Sequence, residues 1–233
     1  MKILKYLTIV IFFSAILSSC EKDYESHITK VTYFPSIEIL GGQFMTVKLG
    51  QAFTDPGVLV KIGDDEVDAD EVSGTVDVNT IGVYTLTYSK VNEDGFSASA
   101  QRFVGVIDPS VLGNDFSGEY QRTAYGANTT PAGIATWTKV ADGLYTCNNV
   151  GGVPDDNAFV YNVYVFNLVD NKIMVSTQPD QLGGGTIFCT STKAGAEPDL
   201  IDFIPGAVGE VGYIWSVKGS SYGTNTRTFT RVN

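Results

Sequence analysis

The chain has 233 residues, with 26 Asp and Glu against 15 Lys and Arg, for a formal net charge of −11. That length suits one large or two small domains, and the acidic balance repels phosphate backbones, which excludes nucleic acid as a partner and a polybasic patch for anionic membranes. The composition includes 25 Gly, 12 Tyr and 13 Phe, and with many Val and Thr and few helix-favouring stretches it predicts an all-β protein.

Residues 1–19 have the layout of a secretory signal. Lys2 and Lys5 precede an apolar run from Tyr6 to Leu17, broken only by Thr8 and Ser14, and the small residues Ser18 and Ser19 follow. The run is shorter than the roughly 20 apolar residues a membrane-spanning helix needs. Leu17-Ser18-Ser19-Cys20 resembles a bacterial lipobox, which implies that Cys20 is lipidated and becomes the first residue after cleavage. More than one acyl chain then makes a stable anchor that does not cross the bilayer. Glu21-Lys22-Asp23-Tyr24-Glu25 resembles the acidic export signal of surface-exposed lipoproteins in Bacteroidota, which implies outer-membrane attachment and cell-surface display. Residues 20–30 are expected to be a lipidated tether.

The first folded unit is expected over residues 31–107. In "GVYTLTYSK" the residues Tyr84, Leu86 and Tyr88 alternate with Val83, Thr85 and Thr87, the period of a half-buried strand. Glu93-Asp94-Gly95 supplies a hairpin turn, and Phe96 to Val106 reads as the returning strand. The spaced elements Gly50-x-x-Phe53-Thr54-Asp55-Pro56-Gly57-Val58, Gly74-Thr75-Val76-Asp77, Gly82-x-Tyr84-Thr85-Leu86-Thr87-Tyr88 and Arg102-x-Val104-x-Val106 resemble the bacterial Ig-like domain of surface proteins and of one crystal-toxin lineage. The resemblance implies a seven-strand sandwich with Greek-key wiring. Its residues are turn formers and core aromatics, which account for a fold and not for an activity.

Residues 108–115, "DPSVLGND", read as a turn-rich linker. Residues 116–233 contain strand-like runs at "EYQRTAY", "GIATWTKV", "GLYTCNNV", "FVYNVYVFNLV", "KIMVSTQ", "TIFCTS", "LIDFI", "YIWSVKG" and "TRTFTRV". This spacing predicts a second antiparallel β-sandwich or a small barrel. The opening "FSGEYQRTAYG", the "GLY" hairpin and the closing "TRTFTRV" resemble the C-terminal domain of uncharacterised Bacteroidota lipoproteins carried beside starch-utilisation-like transport genes.

Catalytic templates find little here. The single histidine, His27, lies in the tether, so no Ser-His-Asp or Cys-His pair is expected in a folded core, and neither a cofactor nor an enzymatic activity is predicted. Cys147 and Cys189 fall in different predicted strands, where they are either a disulfide or two buried free thiols. The acidic run at residues 63–71, "GDDEVDADE", invites calcium, but Glu71 stands where a calcium loop needs glycine, so it reads as a solvated edge and no metal is assigned. Asp155-Asp156-Asn157 is a weaker cluster of the same kind.

Recognition is the better prospect, because sugar rings stack on exposed Trp and Tyr. Trp137 shares its strand face with Ala135 and Lys139, a face that need not be buried, whereas Trp215 shares one with Tyr213 and Val217 and is expected in the core. Tyr161 and Tyr164 lie on opposite faces of one strand. Trp137, Tyr145 and Tyr222 are the candidate ligand-binding residues. The expected partners are the membrane, through the lipid anchor, and a polysaccharide or an outer-membrane transport component. The competing reading is a structural or adhesin-like lipoprotein that binds a protein.

Overall fold

Turn glycines decide where the early strands stop. The computed structural model describes residues 31–154, 160–182, 184–219 and 222–233. Seven strands precede residue 108: β1 Pro35–Ile39, β2 Phe44–Lys48, β3 Val58–Ile62, β4 Asp65–Val67, β5 Glu71–Ser73, β6 Gly82–Val91 and β7 Ser97–Ile107. They form two sheets, β1-β3-β4 and β2-β7-β6-β5. Gly41 and Gly42, at φ 71° and 108°, let the chain switch sheets after β1. β2 then runs parallel to β7, with Phe44 opposite Phe103. The predicted hairpin is present, with Gly82 opposite Val106 at one end and Val91 opposite Ser97 at the other.

The spaced elements of this half meet around one buried charge. Arg102 is fully buried, with Nε 3.1 Å from the Asp55 carboxylate and 3.1 Å from the Tyr88 hydroxyl. Its terminal nitrogens donate to the carbonyls of Gly42, Leu40 and Gly57 at 2.6, 2.7 and 2.8 Å. Tyr88 in turn donates to Asp55 at 2.8 Å. A buried guanidinium is tolerated only when paired and hydrogen-bonded in this way. Asp55, Tyr88 and Arg102 therefore serve the fold.

The stretch read as a linker includes one 3-10 turn, Pro109–Val111, capped by Asp108, whose carboxylate accepts from the Ser110 N–H at 2.8 Å. Ten strands follow: β8 Gly118–Tyr125, β9 Ile134–Ala141, β10 Leu144–Cys147, β11 Val163–Val169, β12 Lys172–Met174, β13 Gln178–Pro179, β14 Thr186–Thr190, β15 Ile201–Asp202, β16 Val211–Lys218 and β17 Thr226–Arg231. They make one sheet in the order β13-β14-β16-β17-β8-β9-β10-β11-β12-β15. The sheet curls until its two ends meet. β15 pairs with β12 and continues into a bridge between Phe203 and Tyr213 of β16, with Ile204 N–H on Gly212 O at 2.7 Å. β14 pairs with the other half of β16, and Cys189 N–H reaches Val175 O at 3.3 Å, just past β12. β15 and β14 thus fill one gap end to end, and of the two predicted alternatives the second half is a barrel.

A barrel of about eight staves is just wide enough for side chains to fill. Here they do. Tyr120, Trp137, Tyr145, Tyr213, Trp215 and Phe229 belong to one buried cluster. The polar tips inside it are satisfied: Trp137 Nε1 donates to the Tyr213 hydroxyl and Trp215 Nε1 to Val150 O, both at 3.0 Å.

Sandwich and barrel belong to the same compact unit, Phe34–Asn233. Leu144, Phe166 and Leu168 of the barrel share a buried cluster with Phe103 and Ile107 of the sandwich, with Phe44, Val83, Tyr164 and Met174 packed against it. The Phe44 ring stacks on Tyr164 at 3.9 Å and on Phe103 at 4.9 Å. Gly105 is required at this joint, since a Cβ there would lie 2.5 Å from the Phe166 ring. The joint is also bonded, by Asp108 N–H to Leu168 O and Thr46 Oγ1 to Asp142 O, both at 2.8 Å.

Candidate functional site

Strand alternation carries polar side chains up the inner wall of the barrel beyond its apolar core. On β17 Phe229 is core, and Arg227, two residues away, is the next inner position. Across the ladder Phe229 faces Arg122, and Arg227 faces Tyr125. Two guanidiniums and a phenol therefore come together at one rim.

Arg227 is 3% exposed, and its nitrogens donate to the carbonyls of Gly151, Asn225 and Gly223 at 3.1, 3.0 and 2.9 Å. Its guanidinium carbon lies 5.0 Å from the centre of the Tyr125 ring and 5.8 Å from that of Tyr222. Arg122 flanks Tyr125 at 5.6 Å and donates through Nη1 to Gly151 O at 3.2 Å. Its Nε is buried with no acceptor among the described residues. Gly152 makes room for this packing, because a Cβ there would sit 2.5 Å from the Arg122 side chain.

A second polar group adjoins the first. Tyr161 donates to Asp180 at 2.8 Å, Leu182 N–H donates to the same oxygen at 3.0 Å, and Tyr161 and Tyr222 are hydrogen-bonded to each other. Burial pushes Tyr222 up to about 12. Tyr161 is raised further, by burial first and then by the Asp180 carboxylate that accepts its hydrogen bond. Burial lowers both arginines from their ordinary value. At neutral pH the rim thus presents the partly exposed Arg122, Tyr125 and protonated Tyr161 to oxygen-rich ligands, while Arg227, committed to three backbone carbonyls, and the buried Asp180 hold the rim in place. Beneath the rim lies the buried aromatic cluster of the barrel.

The predicted site residues fall partly here and partly elsewhere. Tyr222, 8% exposed, is at the rim. Trp137 and Tyr145, 1% and 0% exposed, are not surface platforms, and that expectation is corrected. The face shared by Ala135, Trp137 and Lys139 is the inner wall. Lys139 escapes at the opposite end, where its Nζ reaches Asn114 O at 2.8 Å and lies 3.3 Å from Asp142. The Tyr145 hydroxyl donates to the same Asn114 carbonyl at 2.8 Å. Trp215 is in the core as expected, and Tyr164 faces the joint.

Cys147 and Cys189 are free and buried, which corrects the disulfide alternative in favour of two thiols in an apolar core. Burial pushes Cys147 up to about 12 and Cys189 well above its usual value, so neither offers a thiolate at neutral pH. In the acidic run Asp70 is occupied by Lys90 at 2.7 Å and by Val91 N–H at 2.7 Å. Among the described residues no group of three or more His, Cys, Asp or Glu is arranged to hold a metal ion. Cys20, His27 and Asp155-Asp156-Asn157 lie outside the described residues.

Sequence reading missed Arg122, Tyr125, Asp180 and Arg227. For one of them a signal was present: in "TRTFTR" the arginines share the face of Phe229, and a charge on a core-facing position marks either a rim or a buried polar site.

Residues 37–106 match a family described as bacterial surface protein, Ig-like domain, which bears out the resemblance read from the first half. Among solved structures the chain is similar to the lipoprotein BT2262 from Bacteroides thetaiotaomicron, at 22% identity, covering 84% of this chain and 98% of that one with a TM-score of 0.37. It is also similar to a structure of CBM51-2 in complex with GlcNAc and INT domains from Clostridium perfringens ZmpB, at 14% identity and a TM-score of 0.28, covering 85% of this chain and less than half, 44%, of that one. No curated protein matches the chain.

Proposed function

We propose that this chain is a lipid-anchored protein of the outer membrane, displayed at the cell surface, that recognises a glycan at the barrel rim without turning it over. Cys20 carries the anchor, and the Ig-like sandwich supports the barrel. The observation that carries the glycan reading is the convergence of the partly exposed Arg122, Tyr125 and Tyr161 at one rim above a filled core, backed by the buried Asp180, Tyr222 and Arg227. Such a surface offers hydrogen bonds to hydroxyls and ring faces to the apolar side of a sugar. The match of residues 37–106 to a surface-protein domain supports display outside the cell. Recognition suits this rim better than catalysis, since its Tyr161 and Tyr222 phenols are held protonated by burial.

The test is retardation of residues 21–233 in native gels containing plant, host or microbial polysaccharides. The expected result is retardation by one glycan class, lost in Arg122→Gln and Tyr125→Leu variants whose near-ultraviolet circular dichroism is unchanged. Free migration in every polysaccharide overturns the glycan reading.

A protein partner is the second reading, favoured by the exposed apolar side chains Ile204, Val208, Val211 and Ile214 on and beside β16. It predicts that an outer-membrane transport component co-purifies with the protein and is lost on Ile214→Asp.

A further inference from the structure

We infer that the tip of the Ig-like sandwich, formed by Phe34 and the β6–β7 hairpin, is a membrane-seating surface that rests in the interfacial layer of the lipid bilayer. The inference rests on the reading of Cys20 as the lipid attachment point.

Exposed phenylalanine side chains are gathered at this tip. Phe34 is 64% exposed, Phe96 45% and the adjoining Val91 48%. The two phenylalanine rings lie 4.7 Å apart at 58°. Neither belongs to a buried cluster. Both are exposed and in contact with each other, whereas among the described residues both tryptophans and every other phenylalanine are at least partly buried.

The tip is also placed where a bilayer would meet it. β6 starts at the joint, where Val83 packs with the barrel's Phe166, and ends at Val91 beside the tip. Eight strand residues put these points about 26 Å apart. The aromatic end is therefore the end of the sandwich remote from the barrel. Phe34 is the first residue of the compact unit, and only residues 21–33 separate it from Cys20. A chain of that length spans at most about 45 Å fully stretched and about 20 Å as a flexible coil. Once Cys20 is in the membrane, the tip is held within reach of the surface at a high effective concentration.

Charge selects the kind of surface. The hairpin turn carries Glu93, and Lys90 is already paired with Asp70 at 2.7 Å. An anionic headgroup layer gains nothing from such a tip, whereas a neutral interface accepts the rings. Two rings and a valine give shallow seating that works with the acyl anchor and orients the barrel away from the bilayer.

The test uses the full acylated protein, its N-terminal acyl chains verified by mass spectrometry, in phosphatidylcholine vesicles with a Phe96→Trp reporter. Trp137 and Trp215 are buried in the barrel and stay dark to the quencher. The expected result is a blue-shifted reporter quenched by brominated phosphatidylcholine, with quenching weakened by adding Phe34→Ser. A reporter that brominated lipid leaves unquenched, and that acrylamide reaches as freely as in the unanchored protein, overturns the inference. Should mass spectrometry find no acyl chain, the anchor reading fails on its own. Protein coupled through Cys20 to a maleimide phospholipid then decides the tip by the same two outcomes.

Discussion

Replacing Phe44 by alanine asks whether sandwich and barrel fold as one body. The ring sits in the sandwich but stacks on barrel Tyr164 at 3.9 Å and 9°, and on Phe103 at 4.9 Å and 14°. Truncating a fully buried phenylalanine costs about 3–5 kcal/mol. Phe44 is half-buried, which lowers that figure, while each stacked pair contributes about 0.5–1.5 kcal/mol. A net loss of about 2–3 kcal/mol is expected, or roughly 5–10 °C in Tm for a unit of this size. The assay is urea unfolding followed by tryptophan fluorescence, because both tryptophans, Trp137 and Trp215, lie in the barrel. If the joint couples the halves, a sandwich mutation lowers the midpoint reported by the barrel. An unchanged tryptophan midpoint, with an early loss of far-ultraviolet signal from the sandwich alone, would refute the reasoning.

Arg102→Met leaves the Asp55 carboxylate without its cation and the carbonyls of Leu40, Gly42 and Gly57 without their donor; a loss of about 3–5 kcal/mol is expected in chemical denaturation. Gly105→Val drives a side chain into the Phe166 ring, so it should destabilise more than Gly185→Val, where φ is not positive and nothing lies within 4 Å of the added Cβ. In alkali, Tyr145 and Tyr222 are held up to about 12 from an ordinary 10.0. A raised pKa gives stability that is complete below pH 10 and is lost as pH climbs through the folded value, at about 3 kcal/mol for each group. The last part of the tyrosinate absorbance should therefore rise in a steep, cooperative step above pH 10, together with unfolding, and a rise that is complete while the protein is still folded would contradict this. Cys147 and Cys189 should resist a thiol reagent in the native protein and react fully in denaturant.

Much of the fold was legible because its signals are local. The alternation around Tyr84, Leu86 and Tyr88 marks β6, and Gly95 takes φ 84° in the turn that follows. Each predicted run in the second half contains a strand, and β13 was not separated from β12 because its first residue, Gln178, closes the run that begins with Lys172 and its second is a proline. Barrel closure was not legible, since the composite stave of β14 and β15 depends on where two distant segments lie end to end. "FVYNVYVFNLV" did hold the clue to the joint. It is apolar on both faces because one face lines the barrel and the other meets the sandwich. Trp137 was misread because Lys139 on the same face suggested solvent, whereas a long lysine stem can leave a filled barrel by its open end. The rim itself unites residues from 122 to 227, and no spacing in the sequence brings them together.

Hydrogen exchange of the protein with and without a retained polysaccharide tests the central claim most directly. Glycan recognition at the rim predicts slowed exchange in peptides covering Arg122–Tyr125, Tyr161 and Tyr222–Arg227, with the sandwich unchanged. Slowed exchange confined to the outer side of β16 around Ile214, or in the sandwich alone, would contradict it.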